Sequence, residues 1–243
     1  PRDDRITRPE PTVPTPDVRW EFSADVPPFP PDWRTAIESA PTPQLVGAGL
    51  GLYGLRAIPV VDRDVERTAL WSALGATMSE GGARALVVTG PSGYGKSRLA
   101  EWLCVTAAEC GAATALFAGH DPAAGPRHGL QTLVGRRFGC DGAAYDDALR
   151  RVRTVLRHGG VVDEYEVRAL AEIVVTGGTT LEEKALADSH RVRFGSNNER
   201  FAVAARVLAR AARERPLVVW LDDVQWGADT LSFVRHVLTA DSS

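Results

Sequence analysis

One stretch of eight residues constrains this chain more than any other: Gly90-Pro91-Ser92-Gly93-Tyr94-Gly95-Lys96-Ser97. An unbroken apolar run, Ala85-Leu86-Val87-Val88-Thr89, precedes it and predicts a buried strand. Residues of helical period follow, from Lys96 to Cys110, with Leu99, Trp102, Leu103 and Ala107 inward and Gly111 as the stop. Strand, glycine-rich turn and helix in that order bring main-chain N–H groups and a helix N-terminus to one point. Glycines let those N–H groups turn inward with no Cβ in the way. The helix end adds its partial positive charge. Only Lys96 and Lys184 are lysines in a chain with 28 basic residues, so a lysine inside this turn carries information. Lys96 is a mobile point charge for phosphate oxygens, and the Ser97 hydroxyl is a hard ligand for Mg²⁺. The pattern is GxxxxGK[ST], a P-loop. Gly90 to Ser97 are therefore the candidate phosphate-binding residues, with Lys96 also in a catalytic role and Ser97 also a metal ligand.

A second signal lies at Leu217-Val218-Val219-Trp220-Leu221-Asp222-Asp223. Five apolar residues without polar alternation predict a strand buried on both faces, ending in two carboxylates. Ligands of open α/β sheets bind at the carboxyl ends of the strands. Asp222 is then placed near Mg²⁺, and Asp223 is placed to orient or deprotonate an attacking water.

The remaining pattern agrees with a parallel sheet carrying helices on both faces. Val65, Ala69, Leu70, Ala73, Leu74 and Thr77 predict a helix that ends at Gly81-Gly82. Thr114 to Ala118 predicts a second strand. Residues from about 120 to 195 are mainly helical in pattern, an insert after that strand. Ser196-Asn197-Asn198-Glu199 is a capping box opening a helix to about Arg213, with Phe201, Ala204, Ala205, Leu208 and Ala212 on one face. A last helix, about 228–239, carries Leu231, Val234, Val237 and Leu238. Asp121 is expected to cap the loop after the second strand. The chain begins at Pro1 and stops just past this last helix, which reads as a piece of something longer with the sheet incomplete at its C-terminal end.

Eleven of the 16 prolines fall within the first 43 residues. Proline fixes φ and removes a donor, so about 1–44 reads as an extended linker, and the Pro/Gly-rich lead-in as a whole covers 1–57. Trp20, Phe22, Phe29 and Trp33 are unusual for a free linker and are expected to dock on the domain. Gly49 to Gly54 fits GxGxxG formally. A dinucleotide site needs a strand before it and a helix after it, whereas Pro59 soon interrupts any helix here, so the segment reads as a lead-in.

Composition excludes several classes. Twenty-eight basic residues against 31 acidic ones leave no bulk charge to hold a polyanion. No uncharged run is long enough to cross a bilayer, and no signal peptide is visible. Cys104, Cys110 and Cys140 fit neither a disulfide framework nor zinc spacing and suit a reducing cytoplasm. Cys104 and Cys110 read as core fillers, and Arg191 and Arg193 as solvated surface rather than catalytic fingers.

At this point the residues resemble a family. Ile58-Pro59-Val60-Val61-Asp62-Arg63-Asp64-Val65-Glu66 resembles the opening motif of AAA-like ATPase modules in large bacterial regulators, and Leu217 to Trp226 resembles their Walker B region, in which two aspartates precede a tryptophan. Signal-transduction ATPases of the STAND type, including those of LuxR-type activators, share this arrangement. Gln44 to Leu74 also resembles the segment that joins a bacterial Ser/Thr kinase domain to such a module. The resemblance implies a P-loop ATPase domain over 58–243. It binds ATP with Mg²⁺, with Val60 to Arg63 (Val61 and Arg63 above all) near the adenine, Gly93 to Ser97 on phosphate, and Asp222 and Asp223 on metal and water. Asp62 stands where the family has Gly, and Asp223 where typical AAA proteins have Glu. The shorter acid suits slow turnover, hence a switch in signal transduction working with other domains of the same polypeptide, or as a homo-oligomer. Two further readings are an ATP sensor that never hydrolyses and a small-molecule phosphotransferase lidded by the insert. The Asp-Asp-x-x-Trp pattern argues against the latter. No LSGGQ-like segment supports a transporter ATPase and no NKxD-like segment supports guanine.

Overall fold

Two parallel strands form the centre of the fold, and which residues leave each face decides where every helix packs. The computed structural model describes residues 28–39, 60–161, 163–175 and 191–241. Strand β1 spans Thr114–Gly119 and β2 spans Leu217–Asp222, in register from Thr114 opposite Leu217 to Gly119 opposite Asp222. Val218 packs with the cluster beneath the N-terminal helices. Leu116, Ala118, Val219 and Leu221 join a larger cluster on the other side. Apolar side chains thus leave both faces of the ladder, as a parallel sheet between helix layers requires. All six residues of β2 are nonetheless only half-buried, less than expected, because a sheet of two described strands leaves its edges open.

The first layer contains α1 (Trp33–Ser39), α2 (Asp64–Glu80) and α3 (Lys96–Glu109). Helix α2 starts and stops near the expected residues, and Gly81 and Gly82 end it at φ 75° and 78°. Its inward stripe is Arg67, Leu70, Trp71 and Leu74. Val65, expected inward, is exposed, because the stripe facing α1 and α3 starts two residues later. Leu99, Leu103 and Ala107 of α3 are buried as expected, with Trp102 packed at the margin.

Helix α1 interrupts the expected extended linker. Between Pro31 and Pro41 the chain has room for two helical turns, and Asp32 Oδ1 accepts from Arg34 N at 3.0 Å to start them. The aromatic residues there dock as expected. Phe29 stacks on Trp71 at 5.0 Å between centroids, and Trp33 meets Trp102 edge-on at 5.5 Å. Trp71 Nε1 donates to Pro30 O at 2.8 Å. The buried Arg67 guanidinium lies over both Trp33 and Trp102, at 4.7 and 5.1 Å. Trp20, Phe22 and the Gly49–Gly54 segment lie outside the described residues. Trp33 is 6% exposed, so Trp33→Ala should destabilise the protein by roughly 3 kcal/mol, the low end for deleting a buried indole. A lowered urea midpoint in equilibrium unfolding would register it.

The second layer contains α4 (His128–Phe138), α5 (Tyr145–His158) and α6 (Glu164–Val174), then α7 (Asn197–Glu214) and α8 (Ala228–Asp241). The helical pattern expected over 120–195 is met by α4 to α6, and 176–190 lies outside the described residues. Asp121 caps the short 3₁₀ turn Pro122–Ala124, accepting from Ala123 N at 2.8 Å. The capping box of α7 is offset by one residue. Ser196 Oγ accepts from Glu199 N at 3.2 Å, while Glu199 reaches back to Gly195 N at 2.7 Å instead of to Ser196. On α8 the inward residues are Thr230 and Phe233, with Val237 beside them, while Leu231 is exposed. Burial pushes the thiols of Cys104 and Cys140 up to about 11, so they stay protonated and act as apolar filler. Arg191 is held by both oxygens of Glu172, at 2.8 and 3.0 Å.

The expected strand Ala85–Thr89 is the clearest departure. It joins no ladder, and Leu86 and Val87 are 54% and 81% exposed. A strand exists only where a neighbour takes its N–H and C=O groups. Among the described residues, β1 and β2 pair with each other and no strand pairs with 85–89.

Candidate functional site

The glycine-rich turn leads straight into α3, whose first residues are Lys96 and Ser97. Gly90, Gly93 and Gly95 have φ of 153°, 80° and 76°, values that an L side chain resists. A Cβ at Gly93 or Gly95 would meet nothing within 4 Å. Glycine is required there by backbone conformation and not by crowding. Pro91, Ser92 and Tyr94 are exposed between these glycines. Lys96 Nζ donates to Pro91 O at 2.9 Å, so the ammonium lies over the loop it follows.

The end of β2 arrives beside the start of α3. Ser97 Oγ donates to Asp222 Oδ1 at 3.0 Å, joining residues 125 apart in sequence. A hydroxyl and a carboxylate side by side are hard oxygen donors of the kind Mg²⁺ takes. Asp223 follows at φ 51° and heads the 3₁₀ turn Val224–Trp226, with its carboxylate accepting from Gln225 Nε2 at 3.1 Å. The exposed glycine loop, its lysine and this oxygen pair are the donor set that a nucleoside triphosphate with its magnesium requires.

Arg63 joins the site from the start of α2. Its guanidinium donates to Tyr94 O at 3.1 Å and to Glu66 Oε1 at 3.0 Å. The main-chain N–H of Glu66 and then the Arg63 guanidinium hold the Glu66 carboxyl below its usual range. Val61, expected beside the base with Arg63, is 78% exposed. Asp62, Arg63 and Asp223 are the only non-glycine residues with positive φ among the described residues. All three belong to the segments that meet around the loop, at a cost of about 1–2 kcal/mol each. Asp62 at φ 61° occupies the position where the resemblance expects Gly, and aspartate tolerates this conformation better than most residues.

A family model for the AAA ATPase domain matches residues 59–243. The chain belongs to the AAA ATPase domain family. No curated protein and no solved structure matches it. AAA ATPase domains bind ATP, generally with Mg²⁺, and have the P-loop α/β fold, of which the described residues of this AAA domain show a parallel pair of strands with helices on both faces. No helix among the described residues is long and apolar enough to cross a membrane.

One residue beside Asp222 of this AAA domain was not signalled by sequence. His120 follows β1 and lines a cleft of about 330 Å³ at the carboxyl ends of both strands, together with Asp121, Asp222 and Asp223. A single histidine after a strand has no pattern by which to find it.

Proposed function

We propose that this AAA domain is a slowly hydrolysing ATP switch in a multidomain bacterial signalling or transcription-regulating protein of the STAND type. The observation that supports it best is the 3.0 Å bond between Ser97 and Asp222 beside an exposed glycine loop. Lys96 and the main-chain N–H groups of 90–97 bind the phosphates, Ser97 and Asp222 hold the metal, and Arg63 braces the loop through Tyr94 O. Bound Mg²⁺ supplies charge neutralisation on the phosphates. Asp223 orients a water and takes its proton. Its short side chain is already engaged by Gln225, which favours slow turnover and keeps a non-hydrolysing sensor as the second reading.

In this proposal residues 1–57 are a lead-in and 58–243 the ATPase domain, working in the cytoplasm against other domains of the same polypeptide or a second copy. It binds neither nucleic acid nor membrane. The exposed Leu86 and Val87 support a sheet that takes up a further strand in the full-length protein.

Calorimetry with Mg·ATP and a phosphate-release assay test the reading together. Asp223→Asn should leave ATP affinity within about twofold and lower phosphate release by about 10²- to 10⁴-fold, as removal of a general base does. Heat from Mg·ATP with no phosphate release from the parent would select the sensor. No heat from any nucleoside triphosphate would reject both.

A further inference from the structure

We infer that His120 is a positioning residue that locks the Asp222–Asp223 peptide to the strand and helix on either side of it. The inference rests on the ATP-site reading above for its consequence, but its geometry stands independently.

Gly119, the last residue of β1, faces Asp222 across the ladder, so His120 emerges level with the turn that follows β2. His120 is buried, at 8% exposure. His120 Nδ1 lies 2.6 Å from Asp222 O, and Nε2 lies 3.0 Å from Thr230 Oγ1. A carbonyl oxygen only accepts, so Nδ1 carries a hydrogen and donates it. In the neutral ring Nε2 then accepts from the Thr230 hydroxyl, which is fully buried and needs that partner. The imidazole therefore bridges three elements: the end of β1, the end of β2 and the first turn of α8.

The surrounding backbone is shaped to admit the ring. A Cβ added at Gly129 would fall 2.0 Å from His120 Nε2, and one at Gly227 would fall 2.2 Å from His120 Cδ2. Neither glycine is needed for its own conformation. Gly227 has φ −107°, and Gly129 sits in the first turn of α4, where glycine costs about 1 kcal/mol relative to alanine. Two glycines that backbone geometry does not require, both against the Cδ2–Nε2 edge of a buried ring, identify a slot built around that ring.

The function follows from what the carbonyl belongs to. Asp222 presents its carboxylate to Ser97, and the next residue turns left-handed to present Asp223. Fixing the Asp222 carbonyl fixes the direction in which both carboxylates leave the chain. His120 touches neither the loop nor Ser97, so it acts through Asp222. Groups that orient a metal-binding carboxylate in this way typically contribute 10- to 100-fold to metal affinity or activity.

The test compares the parent with His120→Ala and His120→Asn. The asparagine keeps an N–H near the position of Nδ1 and loses the link to Thr230. Phosphate release should fall about tenfold or more in His120→Ala, with the ATP affinity measured in EDTA unchanged and the gain in affinity on adding Mg²⁺ reduced. His120→Asn should recover most of both. A folded His120→Ala that matches the parent, or a folded His120→Asn no better than alanine, overturns the inference. Should alanine prevent folding, the ring ¹⁵N spectrum of the parent decides: a hydrogen on Nδ1 supports the clamp and a bare Nδ1 overturns it. If the parent releases no phosphate at all, hydrolysis by this domain is lost as a reading. The Mg²⁺ dependence of ATP binding and the ring spectrum still judge His120.

Discussion

Lys96→Ala should weaken Mg·ATP binding by roughly 30- to 150-fold, which corresponds to about 2–3 kcal/mol for losing charge-assisted hydrogen bonds to phosphate. The substitution disturbs little else. Lys96 Nζ contacts the exposed Pro91 carbonyl, which water can satisfy once the ammonium is gone. The urea midpoint should therefore stay near that of the parent, so that lost affinity cannot be blamed on lost structure. A Lys96→Ala protein that gives the parent's heat with Mg·ATP would remove the phosphate-binding role from this loop.

The second large effect concerns stability alone. Glu166 on α6 is 1% exposed, and both its oxygens accept from Arg210 on α7, at 2.7 and 2.9 Å. Arg210→Ala strands a carboxylate in the larger core. Removing one partner of a buried pair costs about 3–5 kcal/mol, and the one-third exposure of Arg210 lets water in and places the expectation near 3. Replacing both residues together, as Glu166→Leu with Arg210→Leu, should restore most of the loss, since no charge is then left without a counterpart. Equilibrium unfolding of the three proteins would show it. A single variant as stable as the parent would mean that the carboxylate finds water or another cation.

The parts of this molecule that were legible in its sequence are those whose chemistry is local. The glycines of 90–97 take the left-handed conformations that their identity permits, and α3 begins at Lys96. The apolar run ending in Asp222 became the strand that delivers that carboxylate to Ser97. What was not legible depended on partners far along the chain. Ala85–Thr89 has strand-like composition, but composition cannot supply a neighbour. Val65 and Leu231 fit their helical periods as well as Trp71 and Phe233 do, and only the position of the packed layer tells them apart. Helix α1 hides between prolines because nine residues suffice for two turns when aromatic docking supports them. His120 was silent because its meaning comes from a glycine on α4 and from a glycine and a threonine at the start of α8.

Trp33 and Phe29 grip the outer side of the helix pair that ends at the phosphate loop. Trp102, against which Trp33 rests, is fewer than two turns from Lys96 on the same rigid rod, or about 9 Å at 1.5 Å per residue. The upstream chain is thereby fastened to the rear of the element whose front holds the cation. A shift of the Trp33 seat would be carried along α3 to Lys96 and Ser97, the first two residues of that helix.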